Sequence, residues 1–269
     1  MQNTLESLVE QNFPRGHYEI IVADNDSTDK TLSVAKEYKE NYPDLVSYVI
    51  EDKIQSSYAV RNKGINNTKG SILAFTDAEC IPAKDWLNNG FSSMEESRGS
   101  MLAGRIEFTY KNSEPNIWEY YDSAGKLNQR SYVENAGFGA TANLFVRKTM
   151  FDKYGLFLSE VQSGGDYEFG RRLTLAGETL IYDGDTLVYH PARTTFRAKL
   201  KKSKRVAKGQ KILEQMNLLE HNKRTWKQLI PRIQYSPLHN YKIGFVRKLI
   251  LVIVTNFFRY FNYFYRLIL

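Results

Sequence analysis

Two carboxylates follow a short apolar segment, in a position where such groups can bind a divalent cation. Asp77 and Glu79 come after residues 72–76, ILAFT, whose apolar and β-favouring side chains predict a buried strand. Carboxylate oxygens are ligands that Mg²⁺ and Mn²⁺ take, and these ions keep positions free for phosphate oxygens and water. The pair therefore indicates a Mg²⁺ or Mn²⁺ site for a diphosphate. A plain turn with Asp77 as a helix cap explains the same residues.

A second acidic segment follows an earlier predicted strand. Residues 18–23, YEIIVA, predict that strand, and Asp24 and Asp26 lie in the next turn, DNDSTDKT. Ligands of open α/β sheets bind at the carboxyl ends of the strands, so Asp24 is a candidate for contact with a nucleoside. Capping of the following helix by Asp26 or its neighbours is the alternative.

Three further side chains have the chemistry to complete such a site. Arg61, in AVRNKG on a predicted helix, carries a guanidinium suited to a base or a diphosphate, or is a solvated helix charge. Asp166 follows two glycines in GGDYEFGRRL and is a candidate general base, or an N-cap. His190 precedes Pro191 at a strand end and is a candidate metal or phosphate contact, or a structural histidine.

The elements that must position these residues alternate along the chain. Strands and helices follow one another through residue 76 with short connections, and this alternation favours a parallel α/β sheet. The remaining predicted elements are a strand at 101–110, a helical segment at 115–129, a small-residue and apolar segment at 137–146, a helix ending near 177, and two short strands at 179–182 and 186–189.

Composition divides the chain into an acidic body and a basic tail. The 269 residues are 42% hydrophobic, which excludes global disorder, and the single cysteine excludes an intrachain disulfide. Residues 193–269 hold 18 Lys and Arg against 2 acidic residues, whereas residues 1–192 hold 19 against 28. A tail of this charge favours a polyanionic neighbour.

The tail has the pattern of a membrane-surface segment. We expect a basic helical extension over 193–245 and an amphipathic helix over 246–269, docked on the anionic, cytoplasmic face of the cell membrane. The polar residues of the last helix form one narrow stripe: Lys248, Thr255, Arg259, Asn262 and Arg266. A spanning helix would place Arg259 in hydrocarbon at about 2.5–3.5 kcal/mol. Nucleic acid is not an expected partner, because the aromatic residues lie apart from KLKKSKR.

The order of these motifs resembles family 2 glycosyltransferases, which have the nucleotide-diphospho-sugar transferase (GT-A) fold. The motifs run as EIIVADNDSTDKT, AVRNKGINNTKG, FTDAEC, SGGDYEFGRRL and YHPARTTF over residues 1–209. The resemblance implies a mostly parallel central sheet flanked by helices over residues 1–192. It also implies a nucleotide-diphosphate sugar as donor and a saccharide or lipid-linked acceptor.

The same resemblance implies a role for each motif. Asp24, and Asp26 beside it, would contact base or ribose. Arg61 would contact the nucleotide. Asp77 and Glu79 would occupy the metal-binding DxD position, with Asp77 also near the donor. Asp166 would be the catalytic base of an inverting transfer, and the segment with His190 would close over the diphosphate.

The sequence departs from the family pattern at three places. Glu79 and Gly165 stand where family members often have Asp and an acid. An apolar first strand with a Pro-x-Tyr-Asn-like turn usually precedes the segment LESLVEQ and is absent, so we expect a start upstream of Met1. A catalytically impaired domain that acts as a membrane-bound binding or scaffold protein is the alternative to an active transferase.

Overall fold

A computed structural model describes residues 1–124, 127–219, 230–231 and 243–269. Contacts divide the chain into two compact units, one of residues 1–107 and 128–190 and the other of residues 108–127 and 191–269. The boundaries expected at residues 192 and 245 stay predictions, and the contacts add that residues 108–127 group with the C-terminal residues. Much of the expected extension after residue 219 lies outside the described residues.

The strands of the described chain are short, apart from two longer ones that reach past residues 107 and 190. They are β1 Ile20–Asp24, β2 Val46–Ile50, β3 Ile72–Thr76, β4 Ile81–Pro82, β5 Met101–Thr109, β6 Asn143–Arg147 and β7 Leu180–Pro191. The strand predicted at 72–76 is confirmed. The two short strands predicted at 179–182 and 186–189 are one continuous strand, β7.

Helices connect these strands and form most of the second unit. They are α1 Gln2–Val9, α2 Thr31–Asn41, α3 Ser57–Asn67, α4 Trp86–Ser97, α5 Ile117–Ser123, α6 Gln129–Ala136, α7 Lys148–Tyr154, α8 Gly165–Leu175, α9 Phe196–Gln215 and α10 Phe245–Ile268, with a 3₁₀ turn at Arg15–His17. The helical segment expected over 115–129 is therefore the short helix α5, with α6 beginning where that segment was expected to end.

The prediction of a mostly parallel central sheet is wrong for the described strands. β1 and β2 form a parallel pair, whereas β3, β6, β5, β7 and β4 form a separate five-stranded sheet in that order. Pairing of β3 with β6, β5 with β6, and β4 with β7 is antiparallel. The helix α2 carries the chain back so that β2 runs parallel to β1, and the later strands return beside earlier ones in the opposite direction.

Two apolar clusters of the first unit lie where the two sheets present their inward side chains. Ile20, Val22 and Val46 pack with α1 and α2. Trp86 and Phe145 belong to the second cluster, with ring centroids 5.0 Å apart. A Cβ atom at Gly90 would come within 2.4 Å of the Phe145 ring, so this turn of α4 lies directly against the sheet.

The loop after β3, which carries the predicted metal ligands, is held by hydrogen bonds from α1 and from Gln11 just after it. Thr4 Oγ1 donates to the carbonyl of Ala78 at 2.8 Å. Gln11 donates to the carbonyl of Ala83 at 2.8 Å and accepts from the amide of Leu87 at 3.0 Å. These bonds fix both ends of the segment from β3 to α4.

The second unit is organised around a buried carboxylate on α5. The Asp122 side chain has no solvent exposure and pairs with Lys199 of α9, while Arg193 donates to it through its backbone amide at 2.9 Å and its guanidinium at 3.2 Å. Burial alone would raise the pKa of Asp122, but Lys202, Lys199 and the hydrogen bonds outweigh burial and lower that pKa to about 2. Tyr121 beside it stacks on Phe258 of α10.

Three residues of the polar stripe of α10 contact other residues of the second unit. Asn262 accepts from Ser203 of α9 at 2.5 Å, Arg266 pairs with Glu214, and Arg259 donates to the carbonyl of Ile230 at 2.7 Å. The apolar side chains that remain exposed lie on other faces of the helix and include Phe245, Val246, Leu249, Ile250, Ile253, Phe257, Phe264, Leu267 and Ile268. None of the helices in the described ranges is long and apolar enough to cross a bilayer.

Replacement of Asp122 with Asn should lower the free energy of unfolding by about 3–5 kcal/mol, because Lys199 would stay buried without its counter-charge. Because the folded pKa lies below that of an ordinary carboxyl, the stabilisation by Asp122 is present above about pH 4 and is lost as the pH falls towards 2. Urea unfolding monitored by circular dichroism, at neutral pH and through the acid range, measures both effects.

Asp152→Asn, an exposed substitution on α7, is the matched control and should change stability by less than about 0.5 kcal/mol. Equal stabilities of the Asp122→Asn and Asp152→Asn proteins would contradict the importance of the buried cluster.

Candidate active site

An ion pair joins α3 to the end of β3. Arg61 Nη2 lies 2.7 Å from Asp77 Oδ1, and the two side chains are 16% and 34% exposed. Ser56 caps α3 by accepting from the amide of Tyr58, and its hydroxyl donates to the carbonyl of Val161 at 2.8 Å, which fixes the start of the helix. The structure thus brings together two of the residues that the sequence predicted, one from a helix and one from a strand end.

The alternative interpretation of Asp77 as a helix cap is wrong. The next helix, α4, begins after Asp85, and β4 lies between the two. Capping of the next helix by Asp26 or its neighbours Ser27 and Thr28 is also wrong, since Lys30 occupies the N-cap of α2 and it is Asp29 that accepts from the amide of Thr31 at 2.9 Å. The carboxylates at both strand ends are therefore not explained by capping.

Tyr58, one turn before Arg61 on α3, connects this ion pair to Asp166. Its hydroxyl donates to Asp166 Oδ1 at 3.1 Å, and the Arg61 guanidinium lies over its ring at 5.5 Å from the centroid. Removal of the Asp166 carboxyl from water raises its pKa, while the charge of Arg61 and the Tyr58 hydrogen bond act in the opposite direction. A carboxyl with a raised pKa is a better proton acceptor.

Asp166 lies at the second position of α8. Gly164, with φ of 90°, occupies the N-cap, so the interpretation of Asp166 as the cap is wrong. A Cβ atom at Gly165 would approach the Tyr58 ring to 2.9 Å, and Gly165 therefore leaves the space that this ring fills. Sequence reasoning missed Tyr58, although its spacing of three from Arg61 places both on one face of α3.

Asp24 ends β1 and is 2% exposed. Its Oδ2 accepts from the amide of Ser27 at 3.2 Å, whereas Oδ1 is buried and has no hydrogen-bond partner in the described part of the chain. An unpaired buried carboxylate oxygen is costly, and a polar ligand group would satisfy it. Asp26 is exposed, with φ of 54°, and does not share this buried position.

Asn25, which sequence reasoning also missed, ties this turn to the end of β2. Its Nδ2 donates to the carbonyls of Glu51 at 2.8 Å and Ile54 at 2.9 Å. The Glu51 carboxylate in turn accepts from the amides of Lys53 and Ile54, and these hydrogen bonds lower its pKa. The turns after both parallel strands are thus fixed to each other beside Asp24.

Of the predicted metal ligands, Asp77 and His190 lie close together, and Cys80 rather than Glu79 completes a group of three. Asp77, Cys80 and His190 each have a ligand atom within 4.8 Å of the other two. The Glu79 side chain is 56% exposed and reaches His190 Nε2 at 3.5 Å. Burial raises the pKa of the Cys80 thiol to about 12, with the nearby Asp77 charge acting in the same direction. Carboxylate, imidazole and thiol donors at this distance fit a divalent metal cation.

Sugar transfer from a nucleotide donor requires a proton acceptor and, in metal-dependent enzymes, a cation site; Asp166 is a candidate for the first, and the group of Asp77, Cys80 and His190 is a candidate for the second. The mixed α/β fold places Asp77 directly after β3 and Asp166 at the start of α8, and these features are consistent with a glycosyltransferase. The chain belongs to glycosyl transferase family 2, since the sequence profile of that family matches residues 1–155.

Individual relatives agree with this assignment. The chain is 38% identical over 210 residues to the glycosyltransferase AglE of Haloferax volcanii, with 78% of this chain and 68% of the relative covered. It is 28% identical over 210 residues to a dolichyl N-acetyl-alpha-D-glucosaminyl phosphate 3-beta-D-2,3-diacetamido-2,3-dideoxy-beta-D-glucuronosyltransferase of Methanococcus voltae, covering 74% of this chain and 65% of that protein.

A solved structure with the GT-A fold resembles the chain over nearly its whole length. The mannosyltransferase PcManGT of Pyrobaculum calidifontis, in complex with GDP-Man and Mn²⁺, superposes with a TM-score of 0.60 at 16% identity. The match covers 98% of this chain and 67% of that one. At this identity the likeness shows the fold, and this chain spans about two thirds of the length of these relatives.

Replacement of Tyr58 with Phe should raise the pKa of Asp166. The Tyr58 hydroxyl donates to the ionised carboxylate and stabilises it, so loss of the hydroxyl favours the protonated form. A pH titration of the aspartate carboxyl carbons by ¹³C NMR measures the shift.

Tyr154→Phe is the control, because its hydroxyl contacts Glu178 and should leave Asp166 unchanged. An Asp166 carboxyl that titrates alike in the wild-type and Tyr58→Phe proteins would rule out the proposed effect of this hydrogen bond.

Proposed function

We propose that this protein transfers a sugar from a nucleotide-diphosphate donor to an acceptor hydroxyl with inversion at the anomeric carbon. The observation that carries the proposal is the position of Asp166, which Tyr58 holds at 3.1 Å beside the Arg61–Asp77 pair. Residues of one helix, α3, contact both Asp166 and Asp77, and this arrangement suits a direct displacement in which the acceptor attacks opposite the departing diphosphate.

The donor would lie across the ends of β1 and β3. Asp24 supplies a buried oxygen without a partner among the described residues, which suits a ribose hydroxyl or a base N–H group. Arg61 supplies a guanidinium for the nucleotide or its diphosphate. Asp77 and His190 would hold Mg²⁺ or Mn²⁺, and Glu79, whose carboxylate lies 3.5 Å from His190 Nε2, would be a further ligand, directly or through water.

A divalent cation supplies charge neutralisation to a departing diphosphate when it is bound. The work of the chain itself is orientation and proton transfer. Asp166 Oδ1 accepts from the Tyr58 hydroxyl and from the amide of Tyr167 at 3.0 Å, which fixes the plane of the carboxylate. The carboxylate then accepts the proton of the acceptor hydroxyl as that oxygen attacks the sugar.

Asp166→Asn should reduce the transfer rate by about 10²- to 10⁴-fold, since an amide cannot accept that proton, and should leave donor affinity nearly unchanged. A panel of nucleotide sugars with Mn²⁺, scored by released nucleoside diphosphate, finds the donor and measures the rate. Donor affinity comes from calorimetry on the same proteins.

Asp152→Asn serves as the matched control, because it makes the same chemical change on an exposed face of α7. Substantial transfer by the Asp166→Asn protein would exclude Asp166 as the base. Donor binding by the wild-type chain without turnover for any donor would favour the catalytically impaired scaffold instead.

The acceptor we propose is a lipid-linked saccharide or a surface polysaccharide at the cytoplasmic face of the cell membrane. The relative from Methanococcus voltae is named for a dolichyl phosphate sugar, which supports a lipid-linked acceptor. In the second unit, α10 exposes an apolar face that includes Phe245, Leu249 and Ile253, and its polar stripe is used in contacts with the protein. Such a face suits the acyl boundary of a bilayer.

Exposed basic residues of α9 give the same unit an attraction to anionic lipid. Lys201, Lys204, Arg205 and Lys208 are exposed, and each positive charge near an anionic surface contributes about 1 kcal/mol. The chain would then bind as a peripheral or monotopic protein.

Sedimentation with liposomes tests this proposal. We expect stronger binding to vesicles with phosphatidylserine than to neutral vesicles, with a loss at high salt, because the lysine contribution is electrostatic. Ile253→Glu should weaken binding at least about tenfold through the loss of apolar burial.

Leu175→Glu, which changes another exposed apolar side chain at the end of α8, should bind like the wild type. Equal binding to neutral and anionic vesicles would contradict the electrostatic part. Unchanged binding of the Ile253→Glu protein would contradict insertion of α10.

A further inference from the structure

Cys80 occupies a place in the cation site that the sequence motif did not indicate. The amide of Cys80 donates to the carbonyl of Asp77 at 2.9 Å, which turns the chain back on itself after β3. In the antiparallel register of β4 and β7, Ile81 pairs with Tyr189, so the next position brings Cys80 opposite His190. Turn and ladder together place the thiol between a carboxylate and an imidazole.

The surroundings of Cys80 limit access of water to this site. Cys80 is fully buried and belongs to the apolar cluster of Trp86, Met94 and Phe145, and His190 is 2% exposed. Packing alone is a sufficient use for a small buried thiol. The proximity of its sulfur to two ligand groups, within 4.8 Å, is what packing does not explain.

The three donors differ from the oxygen-only set of a magnesium site. Mg²⁺ prefers carboxylate, carbonyl and water oxygens, whereas a thiolate favours Zn²⁺, Cd²⁺ and other ions of softer character. Zinc sites that bind a substrate have three protein ligands and one open position, and Asp, His and Cys are all residue types that bind Zn²⁺. An apolar wall on one side strengthens the bond between a cation and a thiolate.

We propose that Cys80 binds the divalent cation through its sulfur, together with Asp77 and His190, and that the site therefore binds Zn²⁺, Co²⁺ and Cd²⁺ more tightly than Mg²⁺. The sulfur–metal bond forms as the S–H bond breaks, and the proton passes to solvent. Arg61 holds one oxygen of Asp77, so a cation competes with the guanidinium for that oxygen or uses the other one. The proposal deepens the proposed function, since the same carboxylate serves both.

Cobalt absorption tests the proposal on the full chain without donor. Co²⁺ bound to a thiolate gives a sulfur-to-metal charge-transfer band in the near ultraviolet, and the chain has one cysteine, so a band reports on Cys80 alone. We expect the band to saturate with one Co²⁺, to be absent from Cys80→Ser, and to disappear when Zn²⁺ is added. The ratio of Zn²⁺ to Mn²⁺ affinity should fall at least about tenfold in Cys80→Ser.

Asp152→Asn is the control variant, since it changes an exposed side chain on α7 that is outside the proposed ligand set, and it should retain the band. Binding of Co²⁺ to the wild type without a charge-transfer band would overturn the proposal, as would an equal Zn²⁺ to Mn²⁺ ratio in the folded Cys80→Ser protein. If Cys80→Ser fails to fold, the ¹¹³Cd chemical shift of the wild type decides the question, because a thiolate ligand moves the resonance far downfield and oxygen ligands do not.

These outcomes separate the proposal from the transferase activity. A cobalt–thiolate band in a protein without transfer leaves the cation site standing and removes the proposed function. Transfer with Mn²⁺ in a protein without the band does the reverse.

Discussion

The ion pair between Arg61 and Asp77 is the contact on which the arrangement of the candidate site depends. It fixes α3 against the end of β3, and through Tyr58 on the same helix it also fixes Asp166 at the start of α8. A pair of this partial exposure contributes little net stability, because desolvation offsets much of the attraction. Its effect is positional: two carboxylates of like charge lie near one guanidinium, which reduces their repulsion and holds the pKa of Asp166 below the value that burial alone would give.

Next to this pair, the absence of a side chain at Gly165 makes room for the ring of Tyr58. A residue with a side chain at position 165 would clash with the Tyr58 ring, and the glycine there leaves room for a tyrosine whose hydroxyl reaches the neighbouring carboxylate. The two positions therefore constrain each other, although more than 100 residues separate them in sequence. A substitution at Gly165 should for this reason disturb the Asp166 carboxylate as much as it disturbs the helix.

The second unit also contains a buried carboxylate paired with cations, and it exposes apolar side chains on α10. One charged cluster is buried, in which Asp122 pairs with Lys199 of α9 and with Arg193 before that helix, whereas many apolar side chains on α10 are exposed. Apolar exposure of this extent is unfavourable in water. The contacts of Asn262 and Arg266 turn the polar side of α10 towards α9, so apolar side chains on the other side of the helix stay exposed.

Local sequence was sufficient for several elements and for the identity of the polar groups, although it did not show that β7 is one continuous strand. The run ILAFT determined β3, the glycines before Asp166 determined the start of α8, and the acidic residues after both strands identified the candidate site, because periodicity and turn chemistry act over a few residues. The family resemblance supplied the order of the motifs.

Strand pairing was decided only in the tertiary structure, because pairing joins segments far apart in sequence: β3 lies antiparallel to β6, and β1 belongs to another sheet. The contacts of Asp166 and Asp77 depend on the same long-range packing, so Tyr58 and Cys80 were not recognised from their own motifs. Glu79, which the motif favoured, is the most exposed residue near the candidate cation site.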